Sequence, residues 1–228
     1  MLDGQWLLAS RYFTALGGFD PFSLSATQEC IEISWALELA SKPVSRCELS
    51  ASIYPDSTLV LAARILPGEG LGDPPEFGFL IPVDPGLRTL RWYGEGPEES
   101  TVDRRQGAFL GIYEAEIPSL LTPYLRPQEC GSRTGVRWAR VLDGEGFGIE
   151  VRAEQSMEFS ALPVSPFELE NALHIDELPA HRRTWLRPVL MRRGVGGDDS
   201  WGARVHEEYL LGGRALEFRI ALRAFREG

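Results

Sequence analysis

The alternation of apolar and polar residues constrains the fold of this chain more than any other feature of its sequence. From Ile31 to Leu39, an apolar side chain stands at every second position, and the positions between them hold Glu32, Ser34, Ala36 and Glu38. Successive side chains of an extended strand point to opposite faces of a sheet, so this pattern predicts a half-buried β-strand. The same alternation returns over Cys47–Ile53 and over Leu216–Ala224, where arginines occupy the solvent side.

Turn-forming segments rich in glycine, proline and aspartate separate the other predicted strands. These strands are Thr58–Leu66, Phe77–Val83, Leu87–Tyr93, Gln106–Glu116, Arg133–Leu142, Phe147–Arg152, Met157–Ala161 and Thr184–Met191. The segment Met1–Thr14 indicates either one short strand or a lead-in. The apolar run Thr58–Leu66 predicts a strand covered on both faces. Gly94–Pro97 should end its strand, and Asp143–Gly146 predicts a hairpin turn.

One helix is predicted, after Ser165. Ser165 can cap it, Pro166 suits its first position, and Glu168 completes a capping box. Short strands with regular turns and a single short helix indicate an all-β antiparallel sandwich. The composition shows no break typical of a linker, so one domain is expected over residues 1–228.

Charge and composition exclude several kinds of partner and compartment. The net charge of −10 argues against nucleic acid or an anionic membrane as the natural partner. No apolar run approaches the ~18 residues that span a bilayer, and the N-terminus lacks the basic segment of a signal peptide. The three cysteines, Cys30, Cys47 and Cys130, fit no zinc motif. Reduced thiols in a cytoplasmic protein are therefore expected.

No group of residues in the sequence has the spacing of a catalytic or metal centre. The adjacent acids Glu98-Glu99, Asp198-Asp199 and Glu207-Glu208 are expected to be solvated or to form turns, because strand neighbours face opposite ways. The histidines His174, His181 and His206 belong to no metal-ligand motif. No catalytic residue, metal ligand or cofactor is therefore assigned to this chain.

Two segments, Arg91–Glu99 and Tyr124–Glu129, mix aromatic rings with arginine and acid. Such residues build either a sugar cleft or a buried Arg–Glu network under aromatic rings. The buried network is the favoured interpretation.

The segment Gly194–Gly202 combines glycines, Asp198, Asp199, Ser200 and a large indole, Trp201. Glycine lets the backbone turn sharply and approach other groups closely, and aspartate and serine can bond loop amides. On chemistry alone, Trp201 is either a wedge that closes a core or an exposed platform for a flat ligand. Most loops of this composition are only turns, which favours the wedge or a plain loop.

Several motifs, in this order, resemble one family. They are Leu90–Glu99, Asp103-Arg104, Thr122–Glu129, Arg137-Trp138 and Gly194–Trp201. Together they are similar to the C-terminal domain of the large bacterial β-galactosidases of glycoside hydrolase family 2, which some bacteria make as a separate small chain. The likeness covers roughly residues 6–225, although the family domain usually begins earlier.

The resemblance implies a galactose-mutarotase-like β-supersandwich and a non-catalytic chain. It places the catalytic glutamates and the metal ions of the family in a separate barrel, the catalytic domain or large chain. It also implies that Trp201 stacks on a β-galactoside in the pocket of that barrel, on a loop shaped by Asp198, Asp199 and Ser200. An exposed apolar face should receive the barrel, with the Trp201 loop at its edge, or be covered by self-association.

Two other functions stay open from the sequence. A free-standing sugar-binding protein or aldose 1-epimerase would need a histidine facing a carboxylate, and His181 or His206 with Glu129 are the candidates. A purely structural assembly domain would leave Trp201 packed inside.

Overall fold

A computed structural model describes residues 22–39, 41, 43–70, 72–199 and 201–227 of the chain. These ranges contain twelve strands: β1 Ser23–Ala26, β2 Ile31–Leu39, β3 Ser45–Ile53, β4 Leu59–Leu66, β5 Glu76–Gly78, β6 Ile81–Val83, β7 Thr89–Gly96, β8 Phe109–Glu116, β9 Arg133–Leu142, β10 Phe147–Leu162, β11 Thr184–Arg192 and β12 Leu216–Arg226. One α-helix, α1, spans Pro166–Asn171 in the same ranges, and 3₁₀ turns lie at Ile117–Leu120, Ile175–Glu177 and Glu207–Tyr209. Met1–Thr14, predicted to be one short strand or a lead-in, lies outside the described residues.

The described residues divide into two compact units. The first contains those up to Gly78 together with Leu190–Arg223. Its strands follow the order β1-β2-β3-β4-β12, and neighbours in this order run antiparallel. The register sets Leu37 opposite Cys47, Cys47 opposite Ile65 and Ile65 opposite Leu216. The alternating apolar residues of the sequence therefore form one continuous face, and these four are buried.

The second unit contains Phe79–Val189 and the residues from Ala224 onward. Its strands follow the order β11-β10-β9-β7-β8, β6 pairs with the far side of β11, and these pairs are antiparallel. Trp92 and Phe159 are each 1% exposed, and Val136 and Val151 are fully buried. Burying large side chains of this kind stabilises a fold by about 1.5–3 kcal/mol each.

The structure confirms the all-β antiparallel class with one short helix. Strands β2 and β9 have the predicted bounds, and Asp143–Gly146 forms the predicted turn, with the Asp143 amide donating to the Phe147 carbonyl at 2.9 Å. The capping box is also present. The Glu168 amide donates to Ser165 Oγ at 3.2 Å, and the Ser165 amide donates to the Glu168 carboxylate at 2.6 Å.

The prediction that Gly94–Pro97 ends strand β7 is wrong. The strand runs through Gly94 to Gly96, because these glycines permit close packing instead of a turn. A Cβ at Gly94 would lie 2.8 Å from Val136 Cα, and a Cβ at Gly96 would lie 2.9 Å from the Tyr113 ring. The carboxylates of Glu95 and Glu99 are positioned by this extended strand and the loop after it.

Three other strand predictions need correction. Phe147–Arg152 and Met157–Ala161 belong to one strand, β10, whose pairing with β9 shifts register between Arg152 and Met157. The predicted strand Phe77–Val83 is two short strands, β5 and β6. Strand β4 is not covered on both faces, since Arg64 is exposed and only Ala63 and Ile65 are buried.

None of the described helices is long and apolar enough to cross a membrane.

Candidate functional site

The predicted site loop lies in the first unit, between β11 and β12. Its base is closed by the Gly194 amide, which donates to the Tyr209 carbonyl at 2.9 Å. Next to it, the Arg193 amide donates to the Pro75 carbonyl at 3.0 Å. The segment from Gly194 to Tyr209 therefore leaves and re-enters the unit at one place, as in an Ω-loop.

The two aspartates bond different parts of this loop. Asp199 Oδ1 accepts the amide of Trp201 at 2.8 Å and the amide of Ala203 at 3.2 Å, which fixes the turn around the indole. Asp198 Oδ1 accepts a hydrogen bond from His206 Nε2 at 2.8 Å. The turn role expected for this acidic pair is confirmed for Asp199, whereas Asp198 is 79% exposed and bonds across the loop. Ser200, the third predicted loop residue, lies outside the described residues.

Two glycines allow the loop to close. A Cβ at Gly197 would stand 2.2 Å from the Ala203 carbonyl oxygen, so no other residue fits without a backbone shift. Gly202 has a φ of +100°, which side chains of L-residues rarely adopt. The sequence signal for both was the glycine content of the loop.

Trp201 is 93% exposed at the tip of this loop. A wedge would be buried, so the packed position required by a purely structural domain is not observed. An exposed indole gains none of the free energy of burying apolar surface unless a partner or ligand covers it. The loop thus presents a flat aromatic surface on a backbone that is already held in shape.

A cluster of hydrogen-bonded side chains in the second unit is centred on Glu99. Its side chain is 16% exposed. The carboxylate accepts hydrogen bonds from the Gly131 amide at 2.8 Å, Tyr124 Oη at 2.8 Å, Thr122 Oγ1 at 2.8 Å and Arg104 Nη2 at 2.6 Å. Partial burial raises the pKa of Glu99, but these hydrogen bonds and the Arg104 charge outweigh it, so the pKa lies below its ordinary value.

Arg133 is a buried arginine that lies beside the Glu99 cluster and over the Trp92 ring. Arg133 is 5% exposed, donates to the Gly131 carbonyl at 2.8 Å, and lies 5.1 Å from the centre of the Trp92 ring. Burial lowers the pKa of this guanidinium. The arginine that pairs with Glu99 is Arg104, which is 56% exposed, so the ion pair itself is only partly buried. The solvated role expected for Glu99 is wrong. With four donors on its carboxylate, Glu99 holds loops together.

The residues proposed for an epimerase are engaged with other groups. Glu129 accepts from Arg187 Nη1 at 2.9 and 2.7 Å, one bond to each oxygen. His181 Nε2 bonds Thr184 Oγ1 at 3.0 Å, and burial together with the Arg88 charge lowers its pKa. His206 bonds Asp198 in the first unit. Each of the three side chains therefore has a hydrogen-bond partner in the structure.

The cysteines show no sign of a reactive site. Cys30, Cys47 and Cys130 are free thiols. Burial raises the pKa of Cys47 and of Cys130 to about 11. These two are therefore protonated, inert groups at neutral pH.

The described residues form an antiparallel β protein that carries an exposed indole on a shaped loop. A comparison with protein families identifies the family to which the chain belongs. The family described as "Beta galactosidase small chain" matches residues 8–222. The chain therefore belongs to the β-galactosidase small chain family.

Individual relatives are longer β-galactosidases and a β-galactosidase small subunit. The chain is 38% identical to a β-galactosidase of Priestia megaterium, over 77% of this chain and 17% of that protein. It is 35% identical to β-galactosidase BgaC of Bifidobacterium adolescentis, over 96% of this chain and 21% of that protein. It thus spans about a fifth of the length of these relatives.

A β-galactosidase small subunit of Latilactobacillus sakei is 33% identical, over 88% of this chain and 67% of that subunit. Among solved structures, a GalM/aldose epimerase homologue from C. elegans aligns with 92% of this chain and 70% of its own, at a TM-score of 0.45 and 7% identity.

Proposed function

We propose that this chain is the non-catalytic small chain of a cytoplasmic β-galactosidase of glycoside hydrolase family 2. It joins a separate catalytic chain and completes the pocket in which a terminal β-galactoside is hydrolysed. Trp201 stacks on the sugar, and Asp198 and Asp199 shape its loop, with Ser200 between Asp199 and Trp201. The two catalytic glutamates and the metal ions of the family belong to the partner chain.

The observation that carries this proposal is the 93% exposure of Trp201 on a loop of defined shape. Indole rings combine a large apolar surface with an N–H donor, which suits them to the apolar faces and hydroxyl groups of sugars. The Asp199 bonds hold the backbone of Trp201 in place before any ligand arrives. A preformed contact of this kind reduces the entropy lost on binding.

Apolar surface on strand β8 supports the presence of a partner chain. Phe109 is 72% exposed, Leu110 51% and Ile112 66%, all within four residues of one strand. Among the described residues, β8 pairs with β7 alone, so its other edge is open. Exposed apolar strand edges are points of association, which fits a chain that another protein covers.

The test is complementation. The purified chain, a catalytic large chain and their mixture are assayed with a chromogenic β-galactoside. We expect hydrolysis in the mixture only, a strong loss with Trp201→Ala, and normal hydrolysis with Val195→Ala, which trims a half-exposed side chain of the same loop. Hydrolysis by this chain alone would overturn the non-catalytic role. If the mixture were inactive and this chain bound only to itself, the proposal of a catalytic partner chain would be overturned.

A further inference from the structure

His206 connects the base of the Trp201 loop to its tip. Its ring lies 6.4 Å from the ring of Tyr209, at an interplanar angle of 32°. Tyr209 itself is tied to the start of the loop, because its carbonyl accepts the Gly194 amide. From this base, His206 Nε2 reaches Asp198 at 2.8 Å, three residues before Trp201.

The bond between His206 and Asp198 differs in kind from the bonds of Asp199. The Asp199 acceptor bonds Trp201 and Ala203, which lie two and four residues further along the chain, so it shapes the tip locally. The His206–Asp198 bond spans eight residues and joins the two limbs of the loop across the indole. This contact opposes movement of the tip relative to the base.

We propose that His206 is a positioning residue, which holds Trp201 in place for the sugar by clamping the loop through Asp198. This inference rests on the proposed function. It adds a residue to the site that the loop motif does not contain, since His206 follows the tryptophan by five positions.

The His206–Asp198 bond, called the clamp below, acts on substrate binding rather than on bond cleavage. Without it, the loop samples open positions, and the indole must be ordered when the sugar arrives. That cost applies equally to the bound substrate and to the transition state, so KM rises and kcat stays nearly constant. His206 and Asp198 side chains are 53% and 79% exposed. Because the pair is exposed, losing it should raise KM by about two- to fivefold.

Arg204 provides a readout that does not depend on enzyme activity. It is an exposed arginine between Trp201 and His206, so trypsin cleavage after it reports how often the loop opens. The variants are His206→Ala, Asp198→Ala and the double variant, with His206→Gln as the conservative change. Glu208→Ala is the control, because it removes one charge from an exposed position two residues from His206.

The expected result is faster cleavage after Arg204 in both single variants, with the double variant no faster than either single one. His206→Gln keeps a donor and should stay close to the wild type, as should Glu208→Ala. In the assembled enzyme, the two single variants should raise KM for a chromogenic β-galactoside with little change in kcat. Unchanged cleavage, or additive effects in the double variant, would overturn the clamp. Faster cleavage with an unchanged KM would support the clamp and instead overturn the sugar contact of Trp201.

Discussion

The Glu99 carboxylate accepts the backbone N–H of Gly131 at 2.8 Å, although the two residues are 32 positions apart. Gly131 adopts a φ of +75°, and a Cβ there would meet Leu162 at 2.7 Å. The bond therefore joins two loops at a point where the positive φ, more than the movable Leu162 side chain, favours glycine. Because the same carboxylate also holds Arg104 and Tyr124, one side chain organises both segments that the sequence singled out for mixed aromatic and charged composition.

Replacing Glu99 should destabilise the second unit. Glu99→Ala removes an acceptor from four donors, and a loss of about 2–4 kcal/mol in the free energy of unfolding is expected. Glu99→Gln should cost less, since its amide oxygen keeps part of the bonding. Urea unfolding measures both. The control is Glu98→Gln, at the exposed neighbouring position, and a loss equal to that of Glu99→Gln would contradict the account.

Acid should weaken the protein through Glu99. A carboxyl whose folded pKa is lowered contributes stability above its unfolded pKa of about 4.3, and this contribution is lost as the pH falls through the folded pKa. In that window, Glu99 adds up to about 1.4 kcal/mol per pH unit to the decline in stability. Urea unfolding between pH 7 and pH 3 should therefore show a shallower decline in Glu99→Gln. Parallel curves would contradict the assigned direction of the pKa shift.

Gly197→Ala should disturb the Trp201 loop. The new methyl group would stand 2.2 Å from the Ala203 carbonyl oxygen, so the two limbs must separate. We expect faster trypsin cleavage after Arg204 and weaker galactoside binding in the assembled enzyme. Gly107→Ala, where a Cβ meets no atom within 4 Å, serves as the control. A Gly197→Ala protein with wild-type cleavage and binding would show that the loop closes differently.

The capping box of α1 gives a local test of the fold. Ser165→Ala removes the oxygen that accepts the Glu168 amide and should cost about 1 kcal/mol in the free energy of unfolding. Ser119→Ala is the comparison, because the Ser119 hydroxyl is exposed and donates to a backbone carbonyl without capping a helix. Equal losses in urea unfolding for the two variants would show that the cap contributes nothing specific.

Local patterns predicted the strands whose interactions are local. The alternation over β2 and the turn after β9 depend on residues close in sequence, and both were found as predicted. The prediction that the strand ends at Gly94 was wrong because the close neighbour of Gly94, Val136, lies 42 positions away on β9. No local pattern distinguishes a glycine that turns from one that packs.

In the candidate sites, too, local interactions were predicted and distant ones were not. The glycines and aspartates of the Trp201 loop predict a turn, and Asp199 accepts hydrogen bonds from amides two and four residues ahead. Glu99 was missed because its donors come from residues 5 to 32 positions away. The His206–Asp198 bond was not predicted because nothing in the loop motif indicates which side chain reaches back to Asp198.

The most direct measurement is the inhibition constant of a non-hydrolysable β-galactoside analogue in the assembled enzyme, for the wild type, Trp201→Phe and Trp201→Ala. Because Trp201 is 93% exposed, neither variant should change the free energy of unfolding by more than about 0.5 kcal/mol. If Trp201 stacks on the sugar, the alanine variant should bind the analogue about tenfold more weakly, a loss of ~1.4 kcal/mol, and phenylalanine should recover part of it. An inhibition constant that stays the same in Trp201→Ala would contradict the central claim.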